Sequence, residues 1–356
     1  MQLYTALKKM LEEGTDAALV TAVENGTEKG GTGQKALFSG SKVVYSTFSD
    51  EITLQLQEKT LALISPGASL TTQVDSMEEG RLQVFAERFL PAPRLIILGA
   101  GHVGAAVARI AANLDYKIYL VDDRPSFAAP SLYPYAEKVI CDQYESALEK
   151  IEPSPSDYIV IVTRGHRHDH LCVSKALRRP AAYIGMIGSK RKVKGQLVSL
   201  RAEGFDESDL ARIYAPIGLP IGAVTEGEIA LSILSEITRV RRELYPGEAI
   251  QEEVLNALTL LEKEGGKAVL ATLVSALGST PRKSGSRLLI QQDGAMIGTI
   301  GGGCGEAEVK REALTCLDQN RSKLIRLELT AEAAAEEGMA CGGLLQVFLE
   351  PLAWSG

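Results

Sequence analysis

Three clusters in this chain have the residue types and spacing to do chemistry. Gly99-Ala100-Gly101-His102-Val103-Gly104 is a G-x-G-x-x-G turn, and Asp122 follows about twenty residues later. In such a turn Gly99 permits the tight bend, Gly101 lets backbone approach a pyrophosphate, and Gly104 lets a helix pack on a strand. Asp122 is then placed to accept from a ribose 2′-hydroxyl and to repel a 2′-phosphate, a repulsion that Arg124 would partly offset. The second cluster is rich in glycine, cations and thiols. It comprises Gly278-Ser279-Thr280-Pro281-Arg282-Lys283-Ser284-Gly285, Gly298-Thr299-Ile300-Gly301-Gly302-Gly303-Cys304 with Glu306, and Cys341-Gly342-Gly343. The third, His166-Arg167-His168-Asp169-His170, has metal-ligand types, but His102 is the only other histidine in the chain, fewer than a metallohydrolase needs. It reads as a strand-end loop near the nucleotide cleft. Lys190 and Arg191, at a strand-to-helix turn, can hold a phosphate or form a solvated basic helix start.

The elements needed to position the first cluster are present. Arg94–Leu98 is a buried-strand pattern, a helix follows over Ala105–Leu114, and a second strand, Lys117–Val121, leads to Asp122. The helix N-terminus turns unpaired N–H groups toward the phosphates. Tyr158–Val162 and Tyr183–Ile187 read as further strands, and Thr225 to Glu228 is a capping box opening a helix over Ile229–Arg242. Together they predict an α/β fold with a Rossmann-like doubly wound parallel sheet in the middle of the chain.

The flanking thirds repeat one another. Ala17–Val23 matches Ala268–Val274, Leu82-Gln83-Val84-Phe85 matches Leu345-Gln346-Val347-Phe348, and Glu87 falls opposite Glu350. Gly26 aligns with Gly278 and Gly33 with Gly285. Each copy reads as helix, strand, glycine turn, strand, helix and final strand, with hairpin turns at Ser39-Gly40 and Asp293-Gly294. Proline-marked joints at residues 89–93 and 244–247 set the expected domains: a degenerate module at 1–90, the central domain at 91–245 and an intact module at 246–356. The earlier copy lacks the glycine triplet and the proline–arginine pair, and it has Glu78 opposite Cys341. The elements persist while these residues vanish together, so the residues serve function and are not needed by the fold.

Composition excludes several classes. A net charge of -7 gives a nucleic-acid partner no electrostatic support. Hydrophobic residues at 45% and charged residues at 23% are an ordinary globular balance. No run of about eighteen apolar residues, enough to cross a bilayer, occurs. Met1–Gly14 reads as an amphipathic helix with Leu3, Leu7 and Leu11 on one side, without the apolar core of a signal peptide. Five cysteines with no C-x-x-C pair argue for free thiols in a reducing, cytoplasmic setting, and Cys141, Cys172 and Cys316 sit in apolar patterns as core residues.

Taken together, the motifs resemble those of the XdhC/CoxI family, accessory factors of xanthine dehydrogenase and related molybdenum hydroxylases. The resemblance rests on Gly278–Arg282, Gly298–Cys304, Glu306, Cys341–Gly343 and Glu350-Pro351 in the later copy. In the middle it rests on Gly99–Gly104, Asp122–Pro125, Gly188–Arg191 and Gly218–Gly222. One departure stands out: the family's common arrangement puts the cysteine-bearing module before the Rossmann domain, and here it follows. The resemblance implies a protein that binds molybdenum cofactor, protects it and delivers it to an apo-hydroxylase, acting as a homodimer without catalysis of its own. The local chemistry agrees. Gly301, Gly302 and Gly303 can turn N–H groups to an anionic pterin phosphate, with Thr280 nearby and Arg282 and Lys283 supplying charge. Cys304 at a helix start gains thiolate character that suits a molybdenum or sulfur contact, while Glu306 and Glu308 oppose it. Cys341 is a second candidate contact. By the same reading NAD or another nucleotide occupies the Rossmann domain. The competing class is an NAD(P)-dependent oxidoreductase, for which only His102 or the His166–His170 cluster offers a proton-transfer group.

Overall fold

The computed structural model describes residues 2–25, 32–63, 69–76, 80–114, 116–244, 250–278, 282–302, 304–329 and 343–354. They form two compact units. One joins Met1–Pro91 to Tyr245–Gly356, and the other is Ala92–Leu244. The two repeated segments therefore fold together, although the whole central domain lies between them in sequence.

In the first unit the earlier copy contains helix α1 (Leu3–Glu12), strands β1 (Ala17–Asn25), β2 (Lys35–Ser39) and β3 (Lys42–Ser46), helix α2 (Asp50–Leu63), and strands β4 (Ser69–Ser76) and β5 (Gly80–Phe89). The later copy contains α9 (Glu252–Glu264), β12 (Gly266–Gly278), β13 (Arg287–Gln291), β14 (Met296–Gly298), α10 (Cys304–Gln319), β15 (Lys323–Leu329) and β16 (Gly343–Trp354). The antiparallel sheets have matching order, β3-β2-β1-β5-β4 and β14-β13-β12-β16-β15. Even their irregularities match. Pairing of the long central strands slips between Ala22 and Glu24 in one copy and between Leu273 and Ser275 in the other. Gly33 and Gly285 both adopt positive φ and each donates its N–H 2.8 Å to the carbonyl before the slip, Ala22 and Leu273.

Period-two alternation explains the layering. Ala18, Val20, Ala36 and Phe38 face Ile52 and Leu56 of α2, and Val269, Ala271, Leu288 and Ile290 face Val309 and Ala313 of α10. The opposite faces meet each other. Leu19 and Leu37 share one core with Leu270 and Leu289, closed by Leu7 of α1 and Leu258 of α9. Val23, Phe85, Val274 and Phe348 form a smaller cluster beside it. The contact is isologous in kind, since each copy presents the same patch to the other.

Two crossed ion pairs are buried in this contact. Arg287 of β13 meets Glu87 of β5, and Lys35 of β2 meets Glu350 of β16 at 2.9 Å. Strand register makes Lys35 the counterpart of Arg287, because they pair with Thr21 and Thr272. It makes Glu87 the counterpart of Glu350 in the same way, opposite Leu19 and Leu270.

The second unit is the doubly wound sheet. Strands β6 (Arg94–Leu98), β7 (Lys117–Asp122), β8 (Lys138–Cys141), β9 (Tyr158–Ile161), β10 (Tyr183–Met186) and β11 (Ile213–Tyr214) run parallel in the order β11-β10-β9-β6-β7-β8. Helices α3 (His102–Ala111) and α8 (Glu226–Leu244) cover one face, while α4 (Tyr144–Ile151), α5 (His166–Leu177) and α6 (Lys190–Ala202) cover the other. A short helix, α7 (Glu207–Leu210), leads into β11. The capping box forms as its spacing predicts: Glu228 N donates to Thr225 Oγ1 at 3.3 Å and Thr225 N to Glu228 Oε2 at 2.9 Å.

Two expectations are corrected. The His166–His170 segment is the start of α5, not a loop; the Asp169 carboxylate folds back there to accept from Thr163 Oγ1 at 2.6 Å. Cys141 is exposed, because it ends the edge strand β8, whereas Cys172 and Cys316 are core residues as expected.

Gly104 is where α3 touches the turn below it. A Cβ there would lie 1.8 Å from the Gly99 carbonyl oxygen, which is backbone and cannot swing aside. Gly104→Ala is therefore expected to cost this unit about 2–3 kcal/mol. Calorimetry should show a melting transition lowered by several degrees, and an unchanged transition would contradict the close packing.

Candidate functional site

The sheet order of the second unit reverses between β6 and β9, and doubly wound sheets bind ligands beyond the carboxyl ends of strands at such a point. Gly99 leaves β6 there with φ +111°, and a Cβ on it would meet the Val162 carbonyl oxygen at 2.5 Å. His102 is the exposed first residue of α3.

Asp122 is not free to take a ribose. It is fully buried and accepts four hydrogen bonds: from Ala100 N at 2.8 Å, Arg124 N at 3.0 Å, Arg124 Nε at 2.8 Å and Arg124 Nη2 at 2.9 Å. Burial pushes its carboxyl up, but the Arg124 side chain and the two backbone N–H groups outweigh that and hold it below the usual range. Its work is to tie the glycine turn to the end of β7. The guanidinium that clamps it packs on Phe127, 3.6 Å from the ring centre, and lies 4.0 Å from the Cβ position of Gly101.

The other polar residues of this end divide by partner. Both ring nitrogens of His170 are engaged by α6 and the residue that ends it, one by Gln196 and one by Glu203. His168 packs edge-on against Tyr144, with ring centres 5.7 Å apart. Among the described residues no group of histidine, cysteine and carboxylate side chains is arranged to hold a metal ion. Lys190 and Arg191 are exposed at the start of α6, after β10, where Ser189 caps the helix.

In the first unit, register brings the strand ends that flank the second cluster to one end of the later sheet. Gly278 pairs with Gly343, Leu329 with Gly343, and Leu288 with Gly298. Cys304 opens α10 from this end. Thr280, Gly303 and Cys341 lie outside the described residues. Arg282 is half-buried and Lys283 exposed, while Ser284 Oγ reaches Ser69 Oγ of the other copy at 2.8 Å.

Glu306 organises the glycine loop from the first turn of α10. Its Oε1 accepts from Thr299 Oγ1 at 2.6 Å, Ile300 N at 3.0 Å and Gly302 N at 2.9 Å, and Gly301 N donates to Thr299 Oγ1 at 3.1 Å. Burial raises this carboxyl, yet the Thr299 hydroxyl and the loop N–H groups hold it below the usual range. The expected roles change accordingly. The N–H groups of Gly301 and Gly302 are spent on Thr299 and Glu306 and are not open to a phosphate. Glu306 shapes the loop that delivers the chain to Cys304. Positive φ at Gly298, Gly301 and Gly302 lets the backbone make this path, and a Cβ on Gly298 would meet the Arg287 carbonyl oxygen at 2.6 Å. Of the set that the sequence singled out, the described residues retain position 304 at the start of α10 and the cations at 282 and 283.

Sequence reasoning missed Thr299 as a loop organiser and missed the crossed ion pairs. The signal was present for the latter, since Lys35 and Arg287 each open an apolar strand at the same register.

Comparison with known proteins places both halves of this description. Residues 95–237 match the model of the XdhC Rossmann domain, and residues 261–328 match that of the XdhC and CoxI family. An uncharacterized Escherichia coli protein, YqeB, is 34% identical over 169 residues, covering 47% of this chain and 31% of its own. A Bacillus subtilis protein, named as a probable xanthine dehydrogenase subunit, is 31% identical over 161 residues, 45% of this chain and 47% of that one. The Escherichia coli molybdenum cofactor insertion chaperone PaoD is 39% identical over 62 residues, 17% of this chain and 20% of its own. These matches span less than half the length of each curated relative. A Bacillus halodurans crystal structure described as a xanthine dehydrogenase shares the fold at TM-score 0.54 and 23% identity, covering 67% of this chain and 66% of that one. No helix among the described residues is long and apolar enough to cross a membrane. With the Rossmann unit and the later cysteine-bearing module each matched by its own model, the chain belongs to the XdhC and CoxI family.

Proposed function

We propose that this protein is an accessory factor in molybdenum-enzyme maturation, which holds molybdenum cofactor at the later module and hands it to an apo-hydroxylase. The asymmetry between the two copies carries the reading. Their strands, bulges and the positive-φ glycines at 33 and 285 agree, yet among the described residues only the later copy has the Glu306-organised loop leading to Cys304. The names of two relatives, one for a xanthine dehydrogenase component and one for a cofactor insertion chaperone, support the same class of work.

Molybdenum cofactor brings a metal-bound dithiolene and a phosphate-bearing pterin. Cys304 would meet the soft part of such a group, and Arg282, Lys283 and the α10 N-terminus its anionic part. Thr280 and Cys341, which lie outside the described residues, complete the proposed set. The protein's own contribution is then to bind and shield, with Glu306 fixing the loop that presents Cys304. The Rossmann unit takes a phosphate-bearing nucleotide at Gly99, Gly101, Gly104 and the α3 N-terminus.

The test is anaerobic purification with quantification of bound pterin and molybdenum per chain. Cys304→Ala is expected to lower bound pterin tenfold or more while leaving the melting temperature nearly unchanged, because alanine deletes a soft ligand without opening a large cavity. Wild-type pterin content in this variant would refute the role of Cys304. A large fall in melting temperature would mark Cys304 as a packing residue instead.

A further inference from the structure

Strands β9, β6 and β7 lie side by side with β6 in the middle, and the glycine turn that leaves β6 is held from both sides. A Cβ on Gly99 would stand 3.0 Å from Thr163 Cα on the β9 side. On the β7 side, Ala100 N donates to Asp122 Oδ2 at 2.8 Å. Arg164 and Asp123 are the next residues along on these two sides, and they meet: Arg164 Nη2 donates to Asp123 Oδ2 at 3.0 Å. Neighbouring strands are about 5 Å apart, so a pair joining the two flanks of β6 spans about 10 Å and crosses its carboxyl end. The strand order reverses between β6 and β9, where doubly wound sheets take their ligands, so the pair lies across the crevice.

The backbone is fixed on both sides of this pair. Thr163 Oγ1, one residue before Arg164, donates to the buried Asp169 carboxylate at 2.6 Å. Arg124 N, one residue after Asp123, donates to Asp122 Oδ1 at 3.0 Å. The moving part is therefore the Arg164 side chain, which is 50% exposed, against 8% for Asp123. The bond is single and not forked, since Nη2 meets Oδ2 while Oδ1 has no hydrogen-bond partner. A one-pronged pair with a half-exposed cation exchanges readily for water, so it opens without any movement of the chain.

We infer that the Arg164–Asp123 pair is an autoinhibitory latch across the nucleotide crevice of the Rossmann unit, and that a nucleotide enters only while the guanidinium has swung off Asp123. The inference rests on the nucleotide reading given above. The observed affinity is then the intrinsic affinity reduced by the fraction of molecules whose latch is open. Weakening the pair tightens binding and speeds association. A residue that grips the ligand behaves in the opposite way, because its loss weakens binding.

The experiment is calorimetric titration of the full chain with ADP, with association rates by stopped flow, for wild type, Asp123→Asn and Arg164→Gln. Melting temperatures confirm that each variant is folded. The two variants change the net charge in opposite directions, so a tightening common to both is not an effect of long-range charge on an anionic ligand. In Asp123→Asn the half-exposed Arg164 turns to water, and in Arg164→Gln the Arg124 Nε, 4.0 Å from Asp123 Oδ1, still faces the acid. Each variant is expected to bind ADP at least threefold more tightly than wild type, with the gain in the association rate. ADP binding by both variants but not by wild type at millimolar concentration would be the same result at its strongest. Equal or weaker binding in either variant, or a gain that lies in slower dissociation, overturns the latch while leaving the nucleotide reading standing. If none of the three proteins binds ADP at millimolar concentration, both fall together.

Discussion

Glu87→Ala is expected to destabilise the two-module unit by roughly 3–5 kcal/mol, the cost of leaving a buried charge without its partner. Arg287 is 2% exposed and Glu87 5%, so neither can turn to solvent when the other is removed. Arg287 also donates to the Gly285 carbonyl at 2.7 Å and sits over the Phe89 ring, which fixes it in place. Burial pushes the Glu87 and Glu350 carboxyls above the usual range, against the pull of Arg287 and Lys35. Attraction therefore does not fully repay desolvation. The matching expectation is that Glu87→Leu combined with Arg287→Leu recovers most of the loss, since a buried pair can often be replaced by apolar residues at little cost. Calorimetry on the two single variants and the double variant gives the coupling directly. Additive losses in the double variant would show that the charges act independently of each other.

This interface accounts for the degenerate copy. A module standing alone would expose the inner face of its sheet, with Leu19, Leu37 and Lys35 in one copy or Leu270, Leu289 and Arg287 in the other. Each copy supplies one acid and one base, and each forms its ion pair with the other copy. Selection on the earlier copy then acts on its packing face, while its loops are free to lose glycine and cysteine. That is the pattern seen, with matching strands, bulges and acids beside divergent turns.

Much of this architecture is legible in the sequence because it is written at short range. The capping box at Thr225 and Glu228 and the turn at Asp293-Gly294 are local patterns with local causes. The duplication is legible because it is a comparison of the sequence with itself. What the sequence hides depends on where side chains point. Arg124 stands two residues from Asp122, but nothing in that spacing says that it folds back to occupy both carboxylate oxygens. The histidine segment resembles a loop because Gly165 offers no side chain to cap α5, and histidine is a modest helix former. The crossed pairs join residues about 200 positions or more apart along the chain, so no window of sequence contains them. The glycine loop misleads in an instructive direction. Its N–H groups look open to a ligand, when a carboxylate four to six residues ahead already accepts from them.

Glu306→Ala should therefore unmake the candidate cofactor site while sparing most of the unit. The change leaves the Thr299 hydroxyl and the N–H groups of Ile300 and Gly302 without their common acceptor. Three positive-φ glycines at 298, 301 and 302 give the freed segment many alternative paths, so the loss falls on local order. The expected results are a tenfold or greater fall in bound pterin per chain and faster amide exchange over residues 299–302, with a melting temperature only a few degrees lower. Glu306→Gln keeps one acceptor oxygen without the charge and should fall between wild type and alanine on both readouts. The pH dependence has a definite sign. Because the folded state holds the Glu306 carboxyl below its usual value, its stabilising contribution is present above the unfolded pKa and fades as pH falls through the lower folded value. Exchange protection of the loop should thus be flat from neutral pH down to about pH 5 and weaken below the ordinary glutamate range, a loss that Glu306→Gln should not show. Wild-type pterin content together with wild-type exchange rates in Glu306→Ala would mean that the loop holds its shape without this carboxylate, and the account of the site would fail with it.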